Sequence, residues 1–225
     1  MRLQHPTASQ QTSPPGAGTL VACILAGGRS SRMGRDKARL HLGGRSLLSR
    51  IRATALRVTP RVVVIRRDHV PGCGPLGGVH TALLQNPHGP VLFLSCDMPF
   101  VSEGWMARIA GEACARDRAV FTCQDGRVGF PFALPASARA SVEQQLQSGH
   151  HALQGLARRL RARRLRPPQS EGPGLLNINT PTELQAARRG LRNAVPADGP
   201  IPSNARPRKR RRGQSSKTRT RRRPS

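Results

Sequence analysis

A glycine-rich segment carrying cations follows the first apolar run of the chain, and residues 25–37 read LAGGRSSRMGRDK. Glycines such as Gly27 and Gly28 let backbone N–H groups turn inward and approach an anion closely. Arg32 and Lys37 add positive charge suited to a triphosphate. The spacing fits neither G-x-x-x-x-G-K-[ST] nor G-x-G-x-x-G, which argues against a P-loop or a dinucleotide-binding motif. The segment predicts a phosphate-binding loop of another type, and a glycine-rich turn with solvated arginines is the alternative.

The lysine of this segment stands apart in the composition of the chain. The chain has three lysines, and since Lys209 and Lys217 lie near the C-terminus, Lys37 is the only lysine in the first 208 residues. A lysine ammonium is a compact point charge that can sit close to phosphate oxygens. The isolated lysine therefore supports a phosphate-binding role.

An acidic residue, Asp97, follows the apolar run Val91–Ser95. If that run is a strand, the carboxylate lies just past its carboxyl end. A carboxylate oxygen together with triphosphate oxygens is the environment that Mg²⁺ prefers, so Asp97 is a candidate metal ligand. The alternative is a turn or helix cap before Met98-Pro99.

Apolar runs alternate with helical patterns between residues 19 and 193. The runs predicted to be strands are Leu20–Ala26, Val62–Ile65, Val91–Ser95, Ala119–Cys123, Val128–Leu134 and Leu175–Ile178. The segments predicted to be helices are Ser46–Leu56, Gly77–Leu84, Trp105–Cys114, Ala138–Gln147, Gln154–Leu160 and Thr182–Leu191, the last opened by Pro181. This order predicts an α/β fold of three layers, with a mostly parallel open sheet and helices on both faces. Such sheets bind ligands beyond the carboxyl ends of their strands.

The two ends of the chain differ in composition from this middle part. Residues 1–18 are mostly polar residues, proline and glycine, and residues 194–225 end in KRRRGQSSKTRTRRRPS. Neither has enough apolar surface to offset the entropy lost on ordering, so both are predicted to be disordered, with one domain at residues 19–193. The formal net charge is +27, and residues 206–223 carry eleven lysines and arginines and no acid. This tail would permit nonspecific nucleic-acid contact.

The cysteines predict neither a disulfide framework nor a zinc site, because the five are odd in number and form no C-x-x-C pair. The first residues lack the apolar core of a signal peptide, and no stretch approaches a membrane span. A cytoplasmic protein with no membrane partner is the expectation.

Four segments, in the same order along the chain, resemble the molybdenum cofactor guanylyltransferase family, whose fold is that of the sugar-nucleotide transferases. They are LAGGRSSRMGRDKARL from Leu25, GPLGGVHTALL at Gly74–Leu84, FLSCDMPFVS at Phe93–Ser102 and LNINTPTEL at Leu176–Leu184. The resemblance covers about residues 20–190. Related cytidylyltransferases usually read L-A-A-G in the loop, so Gly27 favours the guanylyl branch.

The resemblance implies a role for each matching residue. Backbone atoms of the loop would contact the nucleotide, namely those of Leu25, Ala26, Gly27 and Gly28. Arg32 and Lys37 would hold the phosphates, and Asp97 would bind Mg²⁺. Asp68 falls where the family has an aspartate in the nucleotide site, and a turn residue is its alternative reading. Asn177 and Asn179 would approach the pterin substrate, and a hydrogen-bonding role at a strand end is the alternative.

The implied reaction is transfer of GMP from GTP to molybdopterin with release of pyrophosphate, with Mg²⁺ as cofactor. The implied partners are GTP, molybdopterin and molybdoenzyme-maturation proteins. One alternative is a related transferase that uses CTP or another phosphorylated substrate. Another is a degenerate, non-catalytic transferase fold whose basic tail binds nucleic acid.

The chain departs from the family pattern at several positions. Relatives normally have about fifteen or more extra residues between the second strand and the position of Asp68, so one element is expected to be missing here. Ile65 or Arg66 replaces a polar residue that helps to read the base. Ser95 stands where proline is usual, and Phe130-Pro131 stands where many relatives have His-Pro. These departures bear on guanine selectivity.

Overall fold

The computed structural model describes residues 18–27 and 37–194. Apart from Gly18 and Ala194, the segments predicted to be disordered lie outside the described residues. In chain order the elements are β1 (Val21–Leu25), β2 (His41–Leu42), β3 (Arg45–Ser46), α1 (Leu47–Val58), β4 (Val62–Ile65), α2 (Pro75–Gln85), β5 (Val91–Ser95), α3 (Glu103–Arg116), β6 (Val120–Gln124), β7 (Arg127–Leu134), α4 (Arg139–Gln147), α5 (Leu153–Arg159), β8 (Arg163–Leu165) and α6 (Pro181–Ala194).

Six strands form one sheet in the order β4-β1-β5-β7-β6-β8, and β2 pairs with β3 in a small hairpin. β1 runs parallel to β4 and β5, and β6 runs parallel to β8. β7 pairs antiparallel with β5 and with β6, so within the described sheet it alone runs against the others. The predicted mostly parallel α/β sheet is confirmed.

Helices cover both faces of this sheet, as the alternation along β1 shows. Ala22 and Ile24 join a buried cluster with residues of α1 and α3. Cys23 and Leu25, which point to the opposite face, join a second cluster with residues of α2, α4 and α5. Because successive side chains of a strand point to opposite faces, the five buried residues of β1 serve two separate cores. The three-layer arrangement is therefore confirmed.

Strand β4 lies at the edge of the sheet, directly before the region where one element was expected to be missing. It pairs with β1, and no described strand lies beyond it, so it occupies the edge of the sheet. The chain then goes from Ile65 through a loop to Pro75 at the start of α2 without another strand.

The prediction of a last strand at Leu175–Ile178 is wrong. A 3-10 segment covers Gln169–Leu175, and the following residues cross the loop after β5 instead of joining the sheet. The backbone N–H of Ile178 donates to the Asp97 carbonyl at 2.8 Å, which is a loop contact. Gly174 lies so close to this loop that an added Cβ would meet the Phe100 carbonyl oxygen at 2.6 Å. An apolar pattern indicates burial, and here the burial is against a loop.

Helix α6 closes the fold near the hairpin. It begins with Thr180 as a capping residue, because Glu183 accepts from the Thr180 N–H at 2.8 Å and its own N–H donates to the Thr180 hydroxyl at 3.2 Å. Leu184 is buried with Leu42, Leu47 and Ile178 in a third, smaller cluster. No helix in the described part of the chain is long and apolar enough to cross a membrane.

Candidate active site

The carboxyl ends of β1, β4 and β5 meet at one edge of the sheet and open into a cavity of about 840 Å³. Its walls come from the end of β1, the loop after β4, the first turn of α2, the end of β5 and Phe130 of β7. The β1 and β5 ends are joined there, since the Cys96 N–H donates to the Leu25 carbonyl at 3.3 Å. The structure thus places the cavity where parallel sheets of this type bind ligands.

Gly27 lets the end of β1 pass close to the loop after β4. A Cβ added at Gly27 would lie 2.9 Å from the Arg66 carbonyl oxygen, a separation that real Cβ atoms essentially never show. The Ala26 N–H donates to the Ile65 carbonyl at 2.8 Å and holds the two segments together. Glycine at this position is therefore required by the approach of two backbones.

Asp68 lies in the same cavity, between Gly27 and the first turn of α2. Its Oδ1 would be 3.7 Å from a Cβ added at Gly27 and 3.3 Å from one added at Gly78, and its Oδ2 would be 3.0 Å from one added at Gly77. The residue is half-buried, and burial raises the pKa of its carboxyl. Among the described residues, none donates a hydrogen bond to this carboxylate. A desolvated acceptor facing a cavity is suited to a ligand that brings its own donors.

Asp97 lies in the turn directly after β5. The Ser95 hydroxyl donates to Asp97 Oδ1 at 2.6 Å, and Ser95 itself lines the cavity. This short bond fixes the orientation of the carboxylate at the cavity edge. The candidate site residues Gly27, Asp68 and Asp97 are thus brought to the same end of the sheet from segments far apart in sequence.

The predicted cationic part of the loop is described only at its end. Gly28 and Arg32 lie outside the described residues, and for Lys37 the structure describes the backbone, which begins the 3-10 segment Lys37–Arg39. Ala38, the next residue, is buried in the core beside α1. The chain is therefore anchored in the core immediately after Lys37.

Asn177 and Asn179 lie close to the Asp97 loop, because Ile178 between them is bonded to the Asp97 carbonyl. Asn177 is exposed and lines a second, mostly apolar cavity of about 690 Å³ next to Phe100 and α6. The Asn179 N–H donates to Glu183 at 2.6 Å, so this residue also takes part in the start of α6. The two asparagines do not lie on a strand, and they are the sequence neighbours of Ile178, whose N–H bonds the Asp97 carbonyl.

Residues 22–166 match a family model described as the MobA-like NTP transferase domain. The chain belongs to the MobA-like NTP transferase family. The match covers more than half of the chain and includes β1, the loop after β4 and β5.

Individual relatives agree with this family. The chain is 32% identical over 196 residues to a protein of Opitutus terrae named probable molybdenum cofactor guanylyltransferase, covering 77% of this chain and 96% of that one. It is also 32% identical over 200 residues to a molybdenum cofactor guanylyltransferase of Rhizobium johnstonii, covering 76% and 93%.

Solved structures show the same fold at lower identity. The molybdopterin-guanine dinucleotide biosynthesis protein A of Archaeoglobus fulgidus superimposes with a TM-score of 0.60 at 20% identity, covering 76% of this chain and 98% of that one. The 2-C-methyl-D-erythritol 4-phosphate cytidylyltransferase of Thermus thermophilus gives 0.59 at 20% identity, with the same coverage. These two likenesses concern the fold alone.

The sequence did not predict a site role for several residues that the structure places at or near the cavity. Ser95 and Phe130 stood out only as departures from the family pattern, and the structure places both in the cavity wall. Thr81 contacts the loop that carries Asp68, as described below. The run Gly77-Gly78 was an available signal, because two glycines in the first turn of a helix indicate that something approaches closely.

Proposed function

We propose that this protein transfers GMP from GTP to molybdopterin and releases pyrophosphate. The observation that carries the proposal is a cavity at the ligand end of the sheet that Gly27 and Asp68 line, with Asp97 bonded to Ser95 of the cavity wall. It is supported by a relative named molybdenum cofactor guanylyltransferase and one named probable molybdenum cofactor guanylyltransferase, which are matched over 93% and 96% of their lengths. The proposal assigns the activity to one domain, residues 19–193, in the cytoplasm.

The chemistry of Asp68 favours guanine over cytosine. The pairing edge of guanine presents an N1–H and a 2-amino group side by side, and a carboxylate can accept from both. The pairing edge of cytosine presents one amino donor beside two acceptors, which a carboxylate would face unfavourably. A buried acceptor left without a donor costs free energy, so Asp68 would select against CTP. Gly27 and the neighbouring backbone would admit the base close to the sheet end.

The residues present fit a Mg²⁺ ion held jointly by the protein and the nucleotide. Asp97 offers an oriented carboxylate at the cavity edge. In the described part of the chain no group of three or more histidines, cysteines or acids could hold a metal ion, so phosphate oxygens would complete its coordination. When bound, the ion would neutralise the charge that develops on the triphosphate.

The protein's own contribution to the reaction is positioning and charge neutralisation. An oxygen of the terminal phosphate of molybdopterin would form a bond to the α-phosphorus of GTP, while the bond from that phosphorus to the bridging oxygen breaks and pyrophosphate leaves. The attacking phosphate is already an anion, so no general base is needed. Lys37 and Arg32 would hold the triphosphate in line, and Asn177 and Asn179 would orient the pterin beside Asp97. Transfer of the product to molybdoenzyme-maturation proteins belongs to the same proposal.

Nucleotide binding and transfer by the purified protein test this proposal. Calorimetric titrations with GTP and with CTP, each with Mg²⁺ and with EDTA, should show Mg²⁺-dependent binding of GTP and much weaker binding of CTP. Incubation with GTP and molybdopterin should release pyrophosphate and form the dinucleotide. Preference for CTP would support the related cytidylyl transferase instead, and absence of nucleotide binding would support the degenerate fold.

A further inference from the structure

The loop that carries Asp68 follows the edge strand β4, and among the described residues no strand lies beyond β4 to support it. Such a loop exposes its backbone to solvent and would sample many conformations unless other bonds fix it. Because the Asp68 carboxylate receives no hydrogen bond from the described residues, its position depends on the backbone around it. The contacts of this backbone with α2 therefore decide where the carboxylate stands.

One buried hydroxyl joins the loop to α2. The Oγ1 of Thr81 accepts from the backbone N–H of His69 at 2.8 Å and donates to the Gly77 carbonyl at 2.9 Å. Thr81 is 7% exposed, so neither bond is readily replaced by water. Threonine bonded to the carbonyl four residues back slightly destabilises a helix. The hydrogen bond from the His69 N–H gives a reason for threonine at this position.

Two glycines of α2 make room for the same loop. A Cβ at Gly77 would meet the Val70 carbonyl oxygen at 2.6 Å, and one at Gly78 would meet both a Leu25 methyl and Asp68 Oδ1. The loop thus lies directly on the first turn of α2, and the carbonyl of Gly77 is the one that Thr81 binds. The close contact of the loop with the two glycines and the hydrogen bonds of Thr81 together hold the loop in one position.

We propose that Thr81 is a positioning residue for base selection, whose hydroxyl fixes the loop so that Asp68 meets the edge of guanine. The inference rests on the proposed function. Thr81 does not line the cavity. It acts through the His69 N–H, one residue from Asp68, and replaces the support that an additional element would give this loop.

The test compares Thr81→Val with Thr81→Ser. Valine keeps the shape but leaves the His69 N–H without its acceptor, whereas serine retains both bonds. For Thr81→Val we expect KM for GTP to rise about tenfold with kcat nearly unchanged, since one misplaced hydrogen-bonding group has about this effect. The preference for GTP over ITP, which lacks the 2-amino group, should fall. Thr81→Ser should restore both.

Thr54→Val is the matched control. Thr54 also donates to the carbonyl four residues back, that of Arg50 at 3.4 Å, but lies on α1 and accepts from no loop N–H that the structure shows. This variant should keep the KM for GTP and the GTP-to-ITP preference of the wild type. Any general effect of losing a helix threonine would appear in both variants.

A double-mutant cycle with Asp68→Asn shows whether Thr81 acts through Asp68. If it does, Thr81→Val should change the GTP-to-ITP preference far less in the Asp68→Asn background than in the wild type. Equal changes in both backgrounds would overturn the inference.

Amide hydrogen exchange separates this inference from the proposed function, because it needs no substrate. The His69 amide should exchange faster in Thr81→Val than in the wild type and in Thr81→Ser, with other amides of α2 unchanged. Unchanged His69 exchange would overturn the positioning role even if the enzyme is a guanylyltransferase. A wild type without nucleotide transfer would refute the proposed function, while faster His69 exchange would still support the loop attachment. Faster exchange with unaltered KM and preference in an active enzyme would overturn base selection by Thr81.

Discussion

At the scale of single residues, the two carboxylates of the candidate site are oriented by uncharged groups next to them. Asp97 is oriented by Ser95, and Asp68 by the backbone of its loop. Asp97 could be proposed as a metal ligand from the sequence, because a carboxylate after an apolar run falls at the ligand end of a parallel sheet. Asp68 is proposed for the nucleotide site only through the resemblance to the family. The supporting hydroxyls could not be predicted, since serine and threonine occur everywhere and their partners depend on the path of the loops.

The Asp68 carboxyl links stability to function, and Asp68→Asn should separate the two. Burial raises the pKa of this group, so the folded state binds the proton more tightly than the unfolded state does. The resulting stabilisation is present below the ordinary aspartate pKa of about 3.9 and is lost as the pH rises through the folded-state value. At neutral pH the ionised group is a cost to the fold, so the variant should melt at a higher temperature while binding GTP more weakly.

Two measurements check this prediction. The gain in melting temperature should disappear at a pH below the ordinary aspartate pKa, where both states are neutral in the wild type. As the pH is lowered, the wild type should lose affinity for GTP when Asp68 becomes protonated. Because the pKa of Asp68 is raised, this loss should begin at a higher pH than the ordinary aspartate pKa predicts. A variant that is less stable than the wild type at neutral pH would contradict the assignment of burial as the cause.

Asp97→Asn should abolish the dependence of GTP binding on Mg²⁺. The amide keeps the size and can still accept from Ser95, but it lacks the charge that a divalent cation needs. We expect the variant to fold normally, to bind GTP equally with Mg²⁺ and with EDTA, and to lose transfer by orders of magnitude. Calorimetric titration under both conditions is the measurement. Wild-type Mg²⁺ dependence in the variant would leave Asp97 as a turn residue only.

Lys37→Ala should abolish nucleotidyl transfer without unfolding the protein. The prediction rests on the isolated lysine at the end of the glycine-rich segment and on the burial of the neighbouring Ala38, which keeps the backbone anchored. Lys37→Arg is the control, since it keeps the charge but not the compact ammonium, and it should retain part of the activity. Transfer rates and melting temperatures of the three proteins decide the matter. Wild-type rates for Lys37→Ala would refute the assignment.

At the scale of elements, the site depends on how closely the ends of β1 and β4 approach each other. Gly27→Ala should therefore weaken nucleotide binding, because the methyl group would meet the Arg66 carbonyl oxygen and push the two backbones apart. Backbone atoms have no flexible end that could give way. Gly111→Ala in α3, where an added Cβ meets nothing within 4 Å, is the matched control and should leave binding unchanged. Titration of GTP and CTP into both variants measures the effect, and unchanged GTP affinity in Gly27→Ala would show that the loops adjust freely.

The strands also show where an apolar sequence pattern is enough to predict an element. Val91–Ser95 and Val62–Ile65 have the bounds that their apolar runs predict. For the inner strand Val91–Ser95 the reason is burial on both faces, which favours apolar residues throughout. β8 reads Arg-Arg-Leu and carries no such signal. Leu175–Ile178 has the signal but packs on the loop after β5. Burial is encoded locally, whereas the partner that provides it is set by the whole fold.

At the scale of the whole molecule, the described fold ends with α6, whose Leu184 is buried with Leu42, Leu47 and Ile178. Residues 195–225, which the structure does not describe, show no apolar periodicity after Val195 and carry the run of lysines and arginines. Deletion of residues 195–225 should therefore leave melting temperature, GTP affinity and turnover nearly unchanged. Deletion of residues 181–225, which also removes α6, should destabilise the protein because it exposes the third cluster.

The same truncation tests what the tail contributes. Full-length protein should bind duplex nucleic acid in a salt-sensitive manner, because neutralised phosphates release counterions, and the protein lacking residues 195–225 should bind it much more weakly. Gel shifts at rising salt concentration measure this, and the GTP titration of the same two proteins supplies the comparison. If the tail were part of the catalytic machinery, GTP affinity or turnover would fall together with nucleic-acid binding. Since the cavity is lined by β1, β5, α2 and the loop after β4, and α6 packs in a separate cluster, we expect the two properties to separate.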